Sequence, residues 1–166
     1  MNGILQRFAK SCKGSLTGKV LEVGSYNVNG GVRDILDISV GVDMREGPGV
    51  DQVVNSSDLL TTFGPESFDS VCSFDTLEHI EDWHAALTNM WGVLKPDGHL
   101  CLTIASPRKG YHGYPHDYWR WSFERFQLLF SDNKILKTFD EGTSHGVLVQ
   151  KIHPLNLAIT PDPVCR

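Results

Sequence analysis

The spacing of apolar positions changes several times along the chain, and each change predicts an element. Ile4, Leu5, Phe8 and Ala9 recur three or four apart, which predicts a short amphipathic helix over residues 3–13. A turn region at 14–18 leads into KVLEVGS (19–25), a continuous apolar run that reads as a buried strand ending at a glycine. The second half of YNVNGGVRDIL reads as a helix starting after Asn29 or Gly30. SVGVDM (39–44) is a second strand, closed by the breakers Gly47, Pro48 and Gly49. VDQVVN (50–55) is a short third strand. A polar stretch with Asp58 and a weak helical turn near 59–63 follow, and SFDSVCSF (67–74) is a fourth strand. Over 81–94, Trp83, Ala86, Leu87, Met90, Trp91 and Leu94 again fall three or four apart, an amphipathic helix whose tryptophans face the core. Pro96-Asp97-Gly98 stops it, and HLCLTIAS (99–106) is a fifth strand. A Pro/Gly/aromatic loop covers 107–121, and Ser122 is placed to cap the helix FERFQLLF. KILKTFDE and GVLVQKIH, separated by 142–145, form a terminal antiparallel hairpin, and the proline-bearing tail 154–166 is irregular.

Strands alternating with helices imply an α/β fold, a mostly parallel sheet with helices on both faces. One domain over residues 1–166 is expected, with an N-terminal helix (1–14), a core (19–153) and the tail. No apolar run reaches the roughly 18 residues of a membrane helix, and the first residues lack a secretory signal, so a soluble, cytoplasmic protein with no membrane contact is expected. Cys12, Cys72, Cys101 and Cys165 contain no CxxC pair, and Cys72 and Cys101 lie in apolar strands. They read as small buried thiols, not as a disulfide framework or zinc site. The formal net charge is −5. Apart from Arg7, Lys10, Lys13 and Lys19 near the start there is no basic face, which disfavours nucleic acid as a partner.

Ligands of open parallel sheets bind outside the carboxyl ends of the strands. The first strand ends in Glu22-Val23-Gly24-Ser25. Gly24 allows close backbone approach, and a helix beginning near Asn29 would offer unpaired N–H groups. Asp43 closes the second strand, where a carboxylate can grip two vicinal ribose hydroxyls. An adenosine-containing ligand follows. However, the residues after Gly24 are Ser25, Tyr26, Asn27, Val28, Asn29 and Gly30, so the GxGxxG that cradles a pyrophosphate is missing. Glu22 would also repel a diphosphate, whereas it suits the amino group of a methionine moiety. NAD is therefore disfavoured.

VLEVGS, VGVDM, SFDSVCSFDTLEHIEDW and LKPDGHLCLTIAS, taken in order, resemble the successive motifs of class I S-adenosylmethionine-dependent methyltransferases, in particular the type 11 group, over roughly residues 19–150. The resemblance implies a Rossmann-like seven-stranded sheet of order 3-2-1-4-5-7-6 with strand 7 antiparallel, and S-adenosylmethionine as cofactor. It implies that Glu22, Gly24, Ser25 and Tyr26 line the methionine part and that Asp43 binds the ribose with Met44 beside the adenine. Asp58 matches the acidic residue that receives the adenine amino group, with Leu59 next to it, and Ser73 and Phe74 match the end of strand four facing the methionine. Tyr26 departs from the glycine common in the group, which implies a reshaped loop and leaves the contacts of Asn27–Gly30, Asn29 included, open.

Methyl transfer from a sulfonium needs alignment and water exclusion, and a base only when the acceptor must lose a proton. His79, just past strand four, reads either as that base or as a histidine that orders the loop. In YHGYPHDYWRW (111–121), which resembles the P-x-D-Y-W-R segment of some type 11 relatives, His116 or Asp117 is a candidate base. The alternative is a clasp in which Asp117 pairs with Arg120 and Trp119 fills the core. A divalent metal shared by Glu78, His79 and His112 or His116 is conceivable but not expected, and no metal is assigned. The expected activity is transfer of a methyl group to an O, N or C acceptor, a small-molecule or sugar-like one in preference to nucleic acid. A homo-oligomer or a partner subunit is left open. One alternative is a non-catalytic S-adenosylmethionine-binding subunit that stabilises a partner. An aminopropyltransferase is disfavoured, since the N-terminal sheet of that group is absent.

Overall fold

Seven strands pair in the order that the resemblance implies. The computed structural model describes residues 3–27, 30–113 and 116–164. Its strands are β1 (Val20–Val23), β2 (Val40–Asp43), β3 (Gln52–Val53), β4 (Phe68–Phe74), β5 (Leu94–Ala105), β6 (Lys134–Glu141) and β7 (Ser144–Gln150). Its helices are α1 (Gly3–Cys12), α2 (Leu59–Phe63), α3 (Trp83–Val93) and α4 (Phe123–Leu128). The sheet order is β3-β2-β1-β4-β5-β7-β6. The first five strands are mutually parallel, and β7 runs antiparallel to both β5 and β6.

The period of two along β1 explains both the layers and the site. Leu21 and Val23 pack into the cluster under α2, α3 and α4, with Leu87, Met90, Leu102 and the fully buried Trp121, Phe126 and Phe130. Val20 points to the opposite face, into the cluster that Leu5, Phe8 and Cys12 of α1 form with Val32, Leu36 and Leu148. Each such apolar side chain contributes about 1.5–3 kcal/mol on burial. Glu22 shares the Val20 face by the same alternation and is flanked in register by Gly41 of β2 and Cys72 of β4. A carboxylate is thereby carried into the middle of the sheet, 6% exposed. Trp83 and Trp91 are core residues, as their spacing predicts, and Cys12, Cys72 and Cys101 are buried and free. Cys165 lies outside the described residues.

Four local expectations are corrected. No helix forms over 30–38; a single turn does, with the Ile35 and Leu36 N–H groups donating to Val32 O at 2.8 and 2.7 Å. Once the loop after Gly24 is spent, too few residues remain before β2 for a crossover helix, and Val32 and Leu36 bury themselves without one. Secondly, β5 begins at Leu94, directly after α3, and the register shifts opposite Asp69 where Asp97 takes φ 60°. Thirdly, the β6–β7 turn is shorter than read, since β7 already starts at Ser144. Finally, the tail is not wholly irregular: Asp162–Pro163 pairs antiparallel with Trp119–Arg120, and Arg125 holds Asp162 at 2.6 Å. The reading of Ser122 as N-cap agrees with its hydroxyl accepting the Arg125 N–H at 3.3 Å.

Candidate cofactor and acceptor site

A cavity of about 1090 Å³ opens at the carboxyl ends of the parallel strands, the position expected for a ligand of such a sheet. Its two ends differ in chemistry. Glu22, Gly24, Ser25, Tyr26, Asp43 and Met44 line one end together with Asn55, Ser56 and Ser57. Thr76, His79, Lys109, His112, His116 and Tyr118 line the other.

At the first end the chain turns sharply after β1. Gly24 sits at φ 81°, and its N–H and that of Ser25 donate to Val42 O at 2.9 and 3.0 Å. A Cβ at Gly24 would lie 2.2 Å from Thr76 Oγ1, so β1 and the loop after β4 approach here as closely as backbone allows. Tyr26 turns away toward the loop after β2: its ring occupies the space a Gly47 side chain would need, and the Arg45 guanidinium lies 5.0 Å from its centroid. Asn27 then fixes the loop, donating its N–H to Pro48 O at 2.8 Å and accepting the Gly30 N–H at 2.7 Å. The tyrosine in place of glycine is thus absorbed outward. Asp43, the last residue of β2, accepts the Arg45 N–H at 3.1 Å and a long contact from the Tyr26 N–H at 3.4 Å. Burial pushes the Glu22 carboxyl up to about 7, against the opposing pull of Arg33.

Seven sequence-assigned cofactor residues line the cavity: Glu22, Gly24, Ser25, Tyr26, Asp43, Met44 and Phe74. Asp58, Leu59 and Ser73 do not. Asp58 is exposed, Leu59 is fully buried in the core, and Ser73 is buried with its hydroxyl unpartnered. Asn29 lies outside the described residues. Asn55, Ser56 and Ser57 line the cavity instead, and Asn55 is the N-cap of the turn after β3, with Oδ1 accepting the Ser57 N–H at 3.1 Å.

The second end is organised by the loop after β5. Arg120, 6% exposed, reaches both Asp117 oxygens at 2.6 Å and donates to Lys109 O and Gly110 O at 3.0 and 2.9 Å. The His112 N–H adds a further bond to Asp117 Oδ2 at 2.8 Å. Burial alone would raise Asp117, but these donors outweigh it and hold the carboxyl down to about 2. Asp117 does not line the cavity, so the expectation of a base there gives way to the clasp, because both its oxygens are taken. Trp121 rather than Trp119 fills the core; Trp119 is half-buried and donates its Nε1–H to Ile80 O at 2.9 Å. His79 Nδ1 lies 2.5 Å from His116 O, and the Tyr118 N–H donates to Glu78 O at 2.8 Å, so the turn after β4 anchors this loop. His79 and His116 both line the cavity. Glu78, also absent from the sequence-assigned set, is fully buried; burial, with Asp75 nearby, pushes it up to about 8.

This sheet order, with its antiparallel seventh strand, and this cavity at the strand ends define the class I methyltransferase fold. Residues 35–102 match the family described as a methyltransferase domain. No curated protein matches the sequence. Among solved structures, the Burkholderia thailandensis 1,6-didemethyltoxoflavin-N1-methyltransferase, with 1,6-didemethyltoxoflavin and S-adenosylhomocysteine bound, is similar at TM-score 0.66 and 14% identity, over 89% of this chain and 78% of that one. A SAM-dependent methyltransferase from Archaeoglobus fulgidus gives TM-score 0.65 at 12% identity, over 89% and 93%. A chain from the complex between the Haloferax volcanii Trm112 methyltransferase activator and a methyltransferase gives 0.63 at 16%, over 89% and 88%. At such identities the likeness is one of fold. The chain has the class I methyltransferase fold, and its residues 35–102 resemble the methyltransferase-domain family. No helix among the described residues is long and apolar enough to cross a membrane.

Proposed function

We propose that this chain transfers a methyl group from S-adenosylmethionine to a small-molecule acceptor. The observation that carries the reading is that Glu22, the Gly24 bend and Asp43, from two different strands, line one cavity that also contains a separate end rich in proton-accepting rings. The methionine ammonium sits against Glu22, the ribose hydroxyls against Asp43, and the adenine between Met44 and the Asn55–Ser57 turn. The sulfonium methyl then points toward Thr76 and the histidines. In the reaction the methyl–sulfur bond breaks as the bond to the acceptor forms, sulfur keeps the electron pair as a neutral thioether, and an O–H or N–H acceptor gives up its proton. His116, exposed and on the cavity wall, is the base for that proton, while His79 holds the loop through its bond to the His116 carbonyl. The net charge of −5 favours a small molecule over nucleic acid.

Calorimetry with S-adenosylhomocysteine and a turnover assay test this together. Asp43→Ala is expected to weaken S-adenosylhomocysteine binding by about 1.5–3 kcal/mol, the range for hydrogen bonds to a charged group. His116→Ala should spare that affinity and lower turnover. A folded Asp43→Ala protein with undiminished affinity contradicts the assignment; tight binding by the wild type with no turnover on any acceptor supports a non-catalytic binding subunit instead. The activator bound in the Haloferax complex makes a partner subunit the next addition to such an assay.

Glu22 gives the reading a pH signature. Its ordinary value is 4.5 and its folded value about 7, so between those pH values the unfolded chain loses its proton first and Glu22 withdraws stability as pH rises. A ligand ammonium favours the carboxylate, so cofactor affinity runs the other way and rises as pH passes through about 7. From pH 6 to pH 8 the gain should be about tenfold, and Glu22→Gln should flatten it. A wild-type profile as flat as that of the variant would place the ammonium elsewhere.

A further inference from the structure

We propose that Glu78, His79 and His112 form a binding site for one divalent transition-metal ion, zinc by its donor set, at the acceptor end of the cavity. One donor atom from each residue lies within 4.8 Å of the others. An ion with bonds of about 2.0–2.2 Å holds tetrahedral ligand atoms roughly 3.3–3.6 Å apart, so closing this set takes small rotations of two half-buried rings. A carboxylate with two imidazoles is a donor set that catalytic zinc sites use, with a further position left for water or substrate.

The surroundings of each donor point the same way. Glu78 is fully buried, and neither of its oxygens completes a hydrogen bond to another residue. Burying a carboxyl group unsatisfied is costly, and an ion would repay that cost. His79 Nδ1 is 2.5 Å from His116 O, a carbonyl that can only accept, so the ring proton is on Nδ1 and Nε2 keeps its lone pair. His112 Nδ1 is 2.9 Å from Asp117 Oδ2 and 3.2 Å from the Arg120 guanidinium. The closer, ionised carboxylate sets the proton on Nδ1 there too. His112 Nε2 is then the free donor: it is buried, without a hydrogen-bond partner, and 3.7 Å from Glu78 Oε1. Metal-ligating histidines are held in this manner, with the outer nitrogen bonded to a carbonyl or a carboxylate. The Asp117–Arg120 clasp thereby acquires a second task, orienting His112. Because His79 and His112 both line the cavity, an ion held between them would be within reach of a ligand in it. An ion there would acidify an acceptor hydroxyl by acting as a Lewis acid, which selects an oxygen acceptor. That consequence rests on the methyltransferase reading above; the metal site itself does not.

The test uses the full chain, purified, stripped with a chelator and free of cofactor. It is titrated with zinc by calorimetry and with cobalt(II) by visible absorption. The expected result is one ion per chain, with the intense d–d bands of a low-coordinate cobalt site. His79→Gln and Glu78→Gln should each weaken binding by more than the about 10–100-fold that outer-shell changes cost. Should Glu78→Gln fail to fold by circular dichroism, the cavity-facing double variant His79→Gln/His112→Gln takes its place. Absence of stoichiometric binding to the wild type, or undiminished binding to that folded double variant, overturns the site. S-adenosylhomocysteine binding is measured on the same sample. Metal uptake without it leaves this site standing and removes the methyltransferase reading, whereas the reverse removes this site alone.

Discussion

Arg120→Met is expected to lower the unfolding free energy by about 3–5 kcal/mol, because it strips a buried carboxylate of its partner. In the native chain Asp117 is 4% exposed, and both its oxygens meet Arg120 at 2.6 Å. The same guanidinium ties down Lys109 O, Gly110 O and Trp119 O, so its loss also frees the backbone of the loop after β5. Methionine matches the length of the stem and isolates the charge effect. Urea titration monitored by tryptophan fluorescence measures it, and a loss below about 1 kcal/mol would mean that Asp117 finds water instead. Removing both charges, as in Asp117→Leu/Arg120→Met, should recover part of the loss, since a buried pair adds little over apolar residues of similar volume.

Gly24→Ala carries the second large effect, about 2–4 kcal/mol. At φ 81° any residue with a Cβ suffers roughly 1–2 kcal/mol of left-handed strain. The new methyl would also meet Thr76 Oγ1 at 2.2 Å and Cγ2 at 2.4 Å. Thr76 cannot simply swing aside, because its hydroxyl donates to Phe74 O at 3.1 Å and β-branching restricts its rotamers. Either β1 and the loop after β4 separate, or the glycine bend opens, and both change the wall where the methionine moiety rests. S-adenosylhomocysteine affinity is therefore expected to fall more than tenfold alongside stability. Gly24→Ala/Thr76→Gly removes the collision but not the strained φ, so it should regain about half of the stability. Full recovery would show that the backbone conformation matters little.

The parts legible in the sequence are those governed by short periods. The apolar run of VLEV reads as a buried strand ending at Gly24, and a strand-terminal carboxylate at Asp43 follows from the run SVGVDM and the breakers after it. The strand order came from the resemblance and not from any period. What escaped has no period. Asp58 stands away from the cavity while Asn55 caps the turn after β3, and all four residues of N-S-S-D are good caps, so the sequence alone does not choose among them. The crossover helix after β1 fails on chain length, which propensity does not report. The tail is ordered by partners distant in sequence, with Leu155, Leu157 and Ile159 packed against the core. In the loop 107–121 the two readings of Asp117, base or clasp, use the same residues. Only the burial of Arg120 beside it separates them.

The most direct test of the whole account is a crystal structure of the chain with S-adenosylhomocysteine. The ribose hydroxyls should bond to the Asp43 carboxylate, the amino group should face Glu22 beside the Gly24 bend, and the sulfur should point toward Thr76 and the histidine-lined end. A ligand bound with its ribose away from Asp43, or a chain that takes up none at saturating concentration, would contradict it.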